Sequence, residues 1–305
     1  MTPPPRTVSS TLLSAATAVY GRFMAIAPPR EEYVLHRLTV TANVEVAPRV
    51  RRITLAAESL RTFVPVGPDE YFALILPRPG VALALPAPEV LQVARAVRDL
   101  PEDIRPDVRC YTVRRHRPGR GEIDVDVVTH GDAGPGSAWA LRARPGDEVG
   151  LKEGSAGYRR PAEGPQLLAA DETALPALAH IAEELAGTPD AARVRAFVEV
   201  DSMDSVADRP ESIDITWVVR GSARPGDLLA GAISEALATG ADHGTEPGAR
   251  SGEGSTAGAP DFTSAWLCGE GGGVARIRRL LLTRTALTRR SVFSKGYWQA
   301  GRPTE

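Results

Sequence analysis

Cysteine is scarce: Cys110 and Cys268 are the only two, and they lie far apart in the chain. A disulfide scaffold is therefore not expected, and a reducing compartment is the simpler assumption. The five histidines (His36, His116, His130, His180 and His243) show no metal-ligand spacing with cysteine or with one another, so no structural zinc site is anticipated. Charge of one sign is not in excess either. Lys and Arg number 36 against 38 Asp and Glu, a net charge of −2, which gives no global attraction to nucleic acid or acidic lipid. Long hydrophobic runs are missing. The best candidate, residues 11–27, is interrupted by Arg22 and falls short of the roughly 20 apolar residues of a membrane span. It is also a poor signal peptide. An amphipathic helix, packed on the body or on a second subunit within an N-terminal extension 1–32, is the expectation. The same features predict a cytoplasmic protein without stable membrane insertion, a monomer or weak homodimer.

What is present is enough apolar sequence for packed cores. Hydrophobic residues make up 43% and charged residues 24% of 305, a length that calls for two domains rather than one. Glycine (29) and proline (26) are plentiful, which predicts many turns and at least one mobile segment.

Two rhythms divide the chain. From His36 the text is strand-like: Leu38, Val40 and Ala42 alternate with polar residues, Val50 to Leu55 is β-rich, and Tyr71 to Leu76 reads as a buried strand. A helix from about Glu89 to Leu100 interrupts the series. Arg109 to His116 reads as one strand, and a turn at Pro118–Gly121 leads into Glu122–Val127, which alternates strictly, acidic outward and apolar inward. Strands joined by turns imply an antiparallel barrel over 33–162. After Pro165 strand and helix alternate: Leu167–Ala170, a helical stripe of Leu175, Leu178, Ala182 and Leu185, then strands Val194–Val200 and Ile213–Val219. A helix Leu228–Leu237, a strand Ala265–Cys268 and a helix from about Gly273 to Leu287 follow. This order predicts a doubly wound parallel sheet over 163–305. Residues 239–261, poor in apolar side chains, read as a flexible insertion within it.

The chemistry concentrates in Arg109-Cys110-Tyr111-Thr112-Val113-Arg114. A strand edge of this composition offers a guanidinium for pyrophosphate, an aromatic ring to stack on a flavin, and a hydroxyl near flavin N5. Alternation puts Arg109 and Tyr111 on one face, Thr112 and Arg114 on the other. A solvated surface strand fits these six residues equally well. Gly134-Pro135-Gly136 opens a short helix at Ser137 whose amides and hydroxyl suit a phosphate, or is a plain turn with a serine cap. Trp139 fits a cofactor wall or a core. Asp171-Glu172-Thr173 follows a strand where a parallel sheet binds ligands. Cys268-Gly269-Glu270 follows another, with Cys268 readable as a small buried residue. Arg276, Arg278, Arg279 and Arg284 form a solvated helix face, and no aromatic interleaving points to nucleic acid.

Arg-x-Tyr-Thr-x-Arg resembles the flavin motif of siderophore-interacting proteins, a branch of the ferredoxin-reductase-like flavoproteins. Asp124-Val125-Asp126-Val127-Val128-Thr129-His130-Gly131 with Gly134 to Ala140 is similar to that family's second flavin segment. Asp171-Glu172-Thr173-Ala174-Leu175-Pro176-Ala177 resembles its nucleotide-domain signature, with Ala170 where the family usually carries glycine. Gly269-Glu270, Gly296-Tyr297-Trp298 and Gly301 complete the order from about residue 36 to 302. The resemblance implies FAD on Arg109, Tyr111, Thr112 and Arg114, with His130, Gly131, Gly134, Gly136, Ser137 and Trp139 along it and Ser155 in a further loop. It implies NADPH or NADH at Asp171, Glu172, Thr173, Ala174, Gly269 and Glu270. Cys268 then lies beside the nicotinamide, Tyr111, Thr112 and Cys268 frame the reacting centre, and Lys295, Arg114 and Tyr297 meet an anionic ferric siderophore. Tyr297 and Trp298 are alternatively residues that close the sheet against the barrel.

The implied activity is NAD(P)H-dependent reduction of ferric siderophores, with release of Fe(II). A general NAD(P)H:flavin or diaphorase-type reductase, and a siderophore-binding protein of the same fold without redox activity, are the alternatives. Asp201 and Asp204 follow a strand end before any arginine, which disfavours a 2′-phosphate unless Arg209 or Arg220 folds back. Ferredoxin stays open as the electron donor.

Overall fold

A computed structural model describes residues 30, 32–90, 92–131, 134–239 and 261–301. The helix expected in the N-terminal extension and nearly all of the insertion 239–261 lie outside these residues.

The first half is an antiparallel sheet of seven strands: β1 (Leu35–Ala47), β2 (Val50–Ala56), β3 (Tyr71–Leu76), β4 (Asp107–Thr112), β5 (Arg115–Arg117), β6 (Glu122–Val128) and β7 (Glu148–Ser155). Their spatial order is β4-β3-β7-β1-β2-β6-β5. The backbone bond from Arg114 N–H to the Asp124 carbonyl (2.9 Å) carries the chain beyond β4 across to β6, and the sheet curls into a barrel. Leu38, Val40, Ile53, Leu55, Phe72, Leu74, Ile123, Val125 and Leu151 fill the interior, supplied by the period-2 alternation of their strands. Two short helices belong to this half, α1 (Val93–Arg98) and α2 (Pro135–Arg142).

Two sequence expectations are corrected here. Residues 109–116 do not form one strand. Val113 turns into the barrel core, its N–H bonded to the Glu70 carbonyl, so β4 ends at Thr112 and pairing resumes at Arg115. The acidic face of β6 is not outward to solvent: Asp124 is 4% exposed, clamped by Arg117 (2.6 and 2.7 Å) and the Thr54 hydroxyl (2.8 Å). The pairing outweighs burial and holds its carboxyl below the usual range.

The second half is a five-stranded parallel sheet ordered β10-β9-β8-β11-β12. Its members are β8 (Gln166–Asp171), β9 (Val194–Val200), β10 (Asp214–Val219), β11 (Ser264–Glu270) and β12 (Val292–Trp298). Helices α3 (Leu175–Leu185), α4 (Asp227–Thr239) and α5 (Gly271–Arg284) cover it, and separate apolar clusters lie on its two faces. Strand order reverses between β8 and β11, so the ligand crevice of such a sheet opens at their carboxyl ends, beyond Asp171 and Glu270. β12, which carries Lys295 and Tyr297, extends the sheet beside β11 and was not expected as a strand. No helix among the described residues is long and apolar enough to cross a membrane.

A buried carboxylate joins the halves. Asp69, 1% exposed, accepts from the Gly157 N–H (3.0 Å), the Tyr158 N–H (2.9 Å) and the Trp266 indole N–H (2.8 Å). Burial pushes its pKa up, and the three donors oppose that shift.

Candidate functional site

Tyr111 sits at the carboxyl end of β4, and its hydroxyl lies against the backbone of Gly136 in the first turn of α2. A Cβ on Gly136 would overlap that hydroxyl, so glycine is what allows the approach. Burial pushes the Tyr111 phenol up to about 12, so it is protonated at neutral pH. Arg109 is packed beside the same glycine. Its guanidinium donates to the Val108 carbonyl (2.7 Å) and has no carboxylate within ion-pair distance among the described residues. Gly134 is the N-cap of α2 and no side chain among the described residues caps the helix, whose first-turn N–H groups have no intrahelical acceptors. An unpaired guanidinium, uncapped amides and a cradle too tight for a Cβ fit the pyrophosphate of a dinucleotide beside an aromatic ring.

The loop before α2 holds itself in place. The Ser137 hydroxyl accepts from the His130 N–H (3.0 Å) and donates to the Gly131 carbonyl, so it is not turned to a phosphate as the sequence suggested. His130 is exposed, its ring against Gly134, and Gly131 takes a left-handed turn with φ of 85°. Trp139 is 3% exposed inside the barrel core, one turn of helix away from the cradle, and this corrects its expected contact with the cofactor. Ser155, partly exposed at the end of β7, pairs with Tyr71.

Arg114 is the main correction. Expected on a flavin or a ferric chelate, it is 1% exposed and committed to two carboxylates of the second half. It donates to Glu183 on α3 (2.6 and 3.1 Å) and to Asp208 after β9 (2.6 and 3.1 Å). The physical reason is that β4 stops at Thr112, so the alternation of side chains does not run on to residue 114.

Across the interface, the carboxyl ends of β8, β11 and β12 are tied by Asp171. It accepts from the Thr173 N–H (2.9 Å) and hydroxyl (2.5 Å), the Glu270 N–H (2.7 Å) and the Trp298 indole (2.8 Å). Burial, then the neighbouring Glu172 charge, push its carboxyl up to about 6. Gly269 has φ of +146°, and a Cβ there would press on the Asp171 carboxylate. Glu270 accepts from Gly273 N–H (2.6 Å) and caps α5, and Ala174 is fully buried. Both residues, with Asp171, brace the crevice from within. Glu172 is bidentate to Arg220 (2.7 and 3.0 Å), which also lies 3.5 Å from Glu199 and 3.6 Å from Asp201.

The two halves meet at Thr112, which is 5% exposed. The Tyr297 phenol lies close enough to Thr112 and Cys268 for each to act on its ionisation, which brings the end of β12 beside the ends of β4 and β11. Burial pushes the Cys268 thiol and the Tyr297 phenol well up, so neither is charged at neutral pH. Two separate sequence signals, the strand hexapeptide and the lone C-terminal cysteine, thus arrive at one point. Lys295 is the register partner of Cys268, its ammonium over the Tyr71 ring (2.7 Å to the centroid), with no carboxylate partner among the described residues. Sequence reasoning missed Tyr71 and Asp69 as site residues. Only the β3–β4 pairing, which sets Tyr71 opposite Thr112, reveals the first.

A barrel with a dinucleotide cradle, docked on the carboxyl edge of a parallel sheet, defines a two-domain flavin-dependent oxidoreductase. The comparisons with known proteins narrow this class. Residues 39–156 match the siderophore-interacting FAD-binding domain and residues 164–301 match the siderophore-interacting protein domain, so the chain belongs to the siderophore-interacting protein family. It is similar to the ferric vibriobactin reductase ViuB of Vibrio cholerae, 31% identical over 205 residues, 66% of this chain and 68% of that protein. It is also similar to the NADPH-dependent ferric-chelate reductase of Escherichia coli, 31% identical over 176 residues, 56% of this chain and 65% of that protein. The chain spans about two thirds of the length of these curated relatives. Among solved structures, a siderophore utilization protein from T. fusca superposes with a TM-score of 0.68 at 30% identity, covering 88% of this chain and 94% of the other.

Proposed function

We propose that this protein reduces ferric siderophores, taking electrons from a nicotinamide nucleotide and releasing iron as Fe(II). The observation that carries the reading is the convergence of Thr112, Tyr297, Cys268 and Lys295 where the flavin strand meets the carboxyl ends of β11 and β12. FAD supplies the conversion of a two-electron donor into single-electron steps. The residues supply placement. Arg109 and the first-turn amides of α2 hold pyrophosphate, Tyr111 offers its ring and Thr112 its hydroxyl. Ser155, His130 and Gly131 line the approach. The crevice braced by Asp171, Gly269 and Glu270, with Thr173 at its rim, seats the nicotinamide nucleotide. Tyr297 and Cys268 pack at the junction and keep their protons, adding no charge there at neutral pH. Lys295, held over the Tyr71 ring with no carboxylate partner among the described residues, attracts an anionic ferric chelate.

The same carboxyl edge favours NADH. Arg220 is the basic side chain best placed for a 2′-phosphate, and Glu172, Glu199 and Asp201 already surround it. Arg209 donates to the Met203 carbonyl (3.0 Å). A further dianion would enter a net negative neighbourhood. Equilibrium titration of the FAD-loaded protein with NAD⁺ and NADP⁺ tests this part. Anaerobic reduction by NADH followed by addition of a ferric siderophore, with a ferrous-specific chelator reading the product, tests the whole. A protein that binds the siderophore yet yields no Fe(II) is a carrier, and one that reduces dyes and free flavin but not ferric siderophores is a general reductase.

A further inference from the structure

The arginine that closes the Arg-x-Tyr-Thr-x-Arg segment stands where a flavin ligand is expected, but its surroundings assign it another task. Residues 113 and 114 are fixed to the barrel through their own backbone: the Val113 N–H is bonded to the Glu70 carbonyl (2.9 Å) and the Arg114 N–H to the Asp124 carbonyl (2.9 Å). The Cα of Arg114 is therefore rigid with Thr112, two residues earlier. Its guanidinium passes Asp126 of β6 at 4.0 Å and turns its hydrogen bonds to the second half. Four hydrogen bonds go to Glu183 and Asp208, both in the second half, and 1% of the residue is exposed.

Each partner leads back to the nucleotide crevice. Glu183 sits near the carboxyl end of α3, an 11-residue helix that begins directly after Asp171-Glu172-Thr173-Ala174. Asp208 follows β9 and is shared with a second barrel cation: Arg52 on β2 donates to it (2.7 Å) and to Asp126 (2.7 Å). Arg49, one turn earlier, pairs with Asp201 at the end of β9. Three arginines of the barrel thus meet carboxylates on α3 and beyond the carboxyl end of β9, in the same sheet whose β11 and β12 ends lie near Thr112. Planar, two-pronged pairing fixes direction as well as distance, which a single lysine ammonium cannot do.

The geometry points to Arg114 as a positioning residue: it sets the angle at which the nucleotide-binding half meets the flavin strand, and it does not hold the flavin. This rests on the redox reading above, because the consequence is that the Asp171 crevice and Thr112 are held at a working separation. A misplacement of about 1 Å between reacting groups can cost about 100-fold in rate.

The test uses the full chain loaded with FAD and the variants Arg114→Lys and Glu183→Gln, the second leaving the flavin segment untouched. The expected result is FAD affinity within about threefold of the parent, since neither change touches the cradle at Arg109 and Gly136. Flavin reduction by NADH slows by about 10- to 100-fold in both variants, while reduction by dithionite, which needs no seat on the second half, keeps its rate. Hydrogen exchange rises at residues 172–175 and 205–208 but not along β4. A loss of FAD affinity in Arg114→Lys, with an unchanged NADH rate per bound flavin, overturns the assignment in favour of a flavin ligand. Unchanged exchange at both segments overturns it as well. The exchange readout stands even if no nicotinamide reduces the parent protein, so failure of the functional reading and failure of the positioning role are told apart.

Discussion

Replacing Arg109 with alanine separates cofactor holding from domain holding, because Arg109 and Arg114 are five residues apart and differ in what each would leave behind. Among the described residues the Arg109 guanidinium hydrogen-bonds only the Val108 carbonyl, at 2.7 Å, and none of their carboxylates loses a partner when it goes. Folding stability should then change by no more than about 0.5 kcal/mol. A charge-assisted hydrogen bond to phosphate is worth about 1.5–3 kcal/mol, so FAD affinity should fall by roughly 10- to 150-fold. Arg114→Met does the reverse, because Glu183 loses its guanidinium and Asp208 is left to Arg52 and Arg115. Breaking a buried pair costs about 3–5 kcal/mol, but side-chain exposures of 48% for Glu183 and 31% for Asp208 call for a discount through solvent screening, to about 2–3 kcal/mol. At about 2–4 °C per kcal/mol for a chain of this size, the melting midpoint should drop by roughly 5–10 °C. Ultrafiltration with fluorescence of free FAD reads the first effect, and a thermal melt of the apoprotein reads the second. The reasoning fails if Arg109→Ala melts early with its FAD retained, or if Arg114→Met sheds FAD at an unshifted midpoint.

Other outcomes follow from the same contacts. Gly136→Ala should cut FAD occupancy while the apoprotein folds, because the added methyl displaces Tyr111; overpacking of this kind costs about 1–3 kcal/mol. Lys295→Ala should raise KM for anionic ferric chelates up to about tenfold and leave reduction of a neutral dye unchanged, a loss of about 1 kcal/mol of cation attraction. Glu172→Gln should loosen Arg220 and narrow the preference for NAD⁺ over NADP⁺ in binding titrations. Acid should weaken the domain contact. Burial works against ionisation of Asp208 and Glu183, yet Arg52 and Arg114 outweigh it and hold both carboxyls below their usual range. Their stabilisation is present above the unfolded values of about 3.9 and 4.3 and is lost as pH falls through the lower folded ones. The midpoint should therefore decline below about pH 4, and less steeply in Arg114→Met.

Much of the architecture was legible because periodicity is local. The alternation in Glu122–Val128 and the stripe Leu175, Leu178, Ala182, Leu185 give β6 and α3 almost to the residue. The order of strands and helices after Pro165 gives the parallel sheet. Harder to read was where a strand stops. Nothing local marks Thr112 as the end of β4, since Val113 and Arg114 continue the pattern, and only the pull of Val113 into the core ends it. That one break diverts Arg114 from the site. Polar residues were read as ligand contacts when several are internal supports: Asp171, Glu270 and the Ser137 hydroxyl are saturated by neighbouring backbone groups. Sequence cannot distinguish a carboxylate that meets a nucleotide from one that braces the turn beneath it. Conversely, Thr112 and Cys268 come from motifs 156 positions apart, and Tyr297 lies beside both on β12, a strand whose pattern Gly296 interrupts.

The central claim is that electrons pass from a nicotinamide nucleotide through this junction to iron held by a siderophore. Under strict anaerobiosis, the FAD-loaded protein should be bleached at its flavin absorbance by NADH, faster than by NADPH. A ferric siderophore added afterwards should restore the yellow colour with about two Fe(II) trapped per flavin, the ratio a two-electron carrier feeding one-electron acceptors requires. A protein that stays yellow with both nucleotides, or one that is bleached but not reoxidised by any ferric siderophore, would contradict the account.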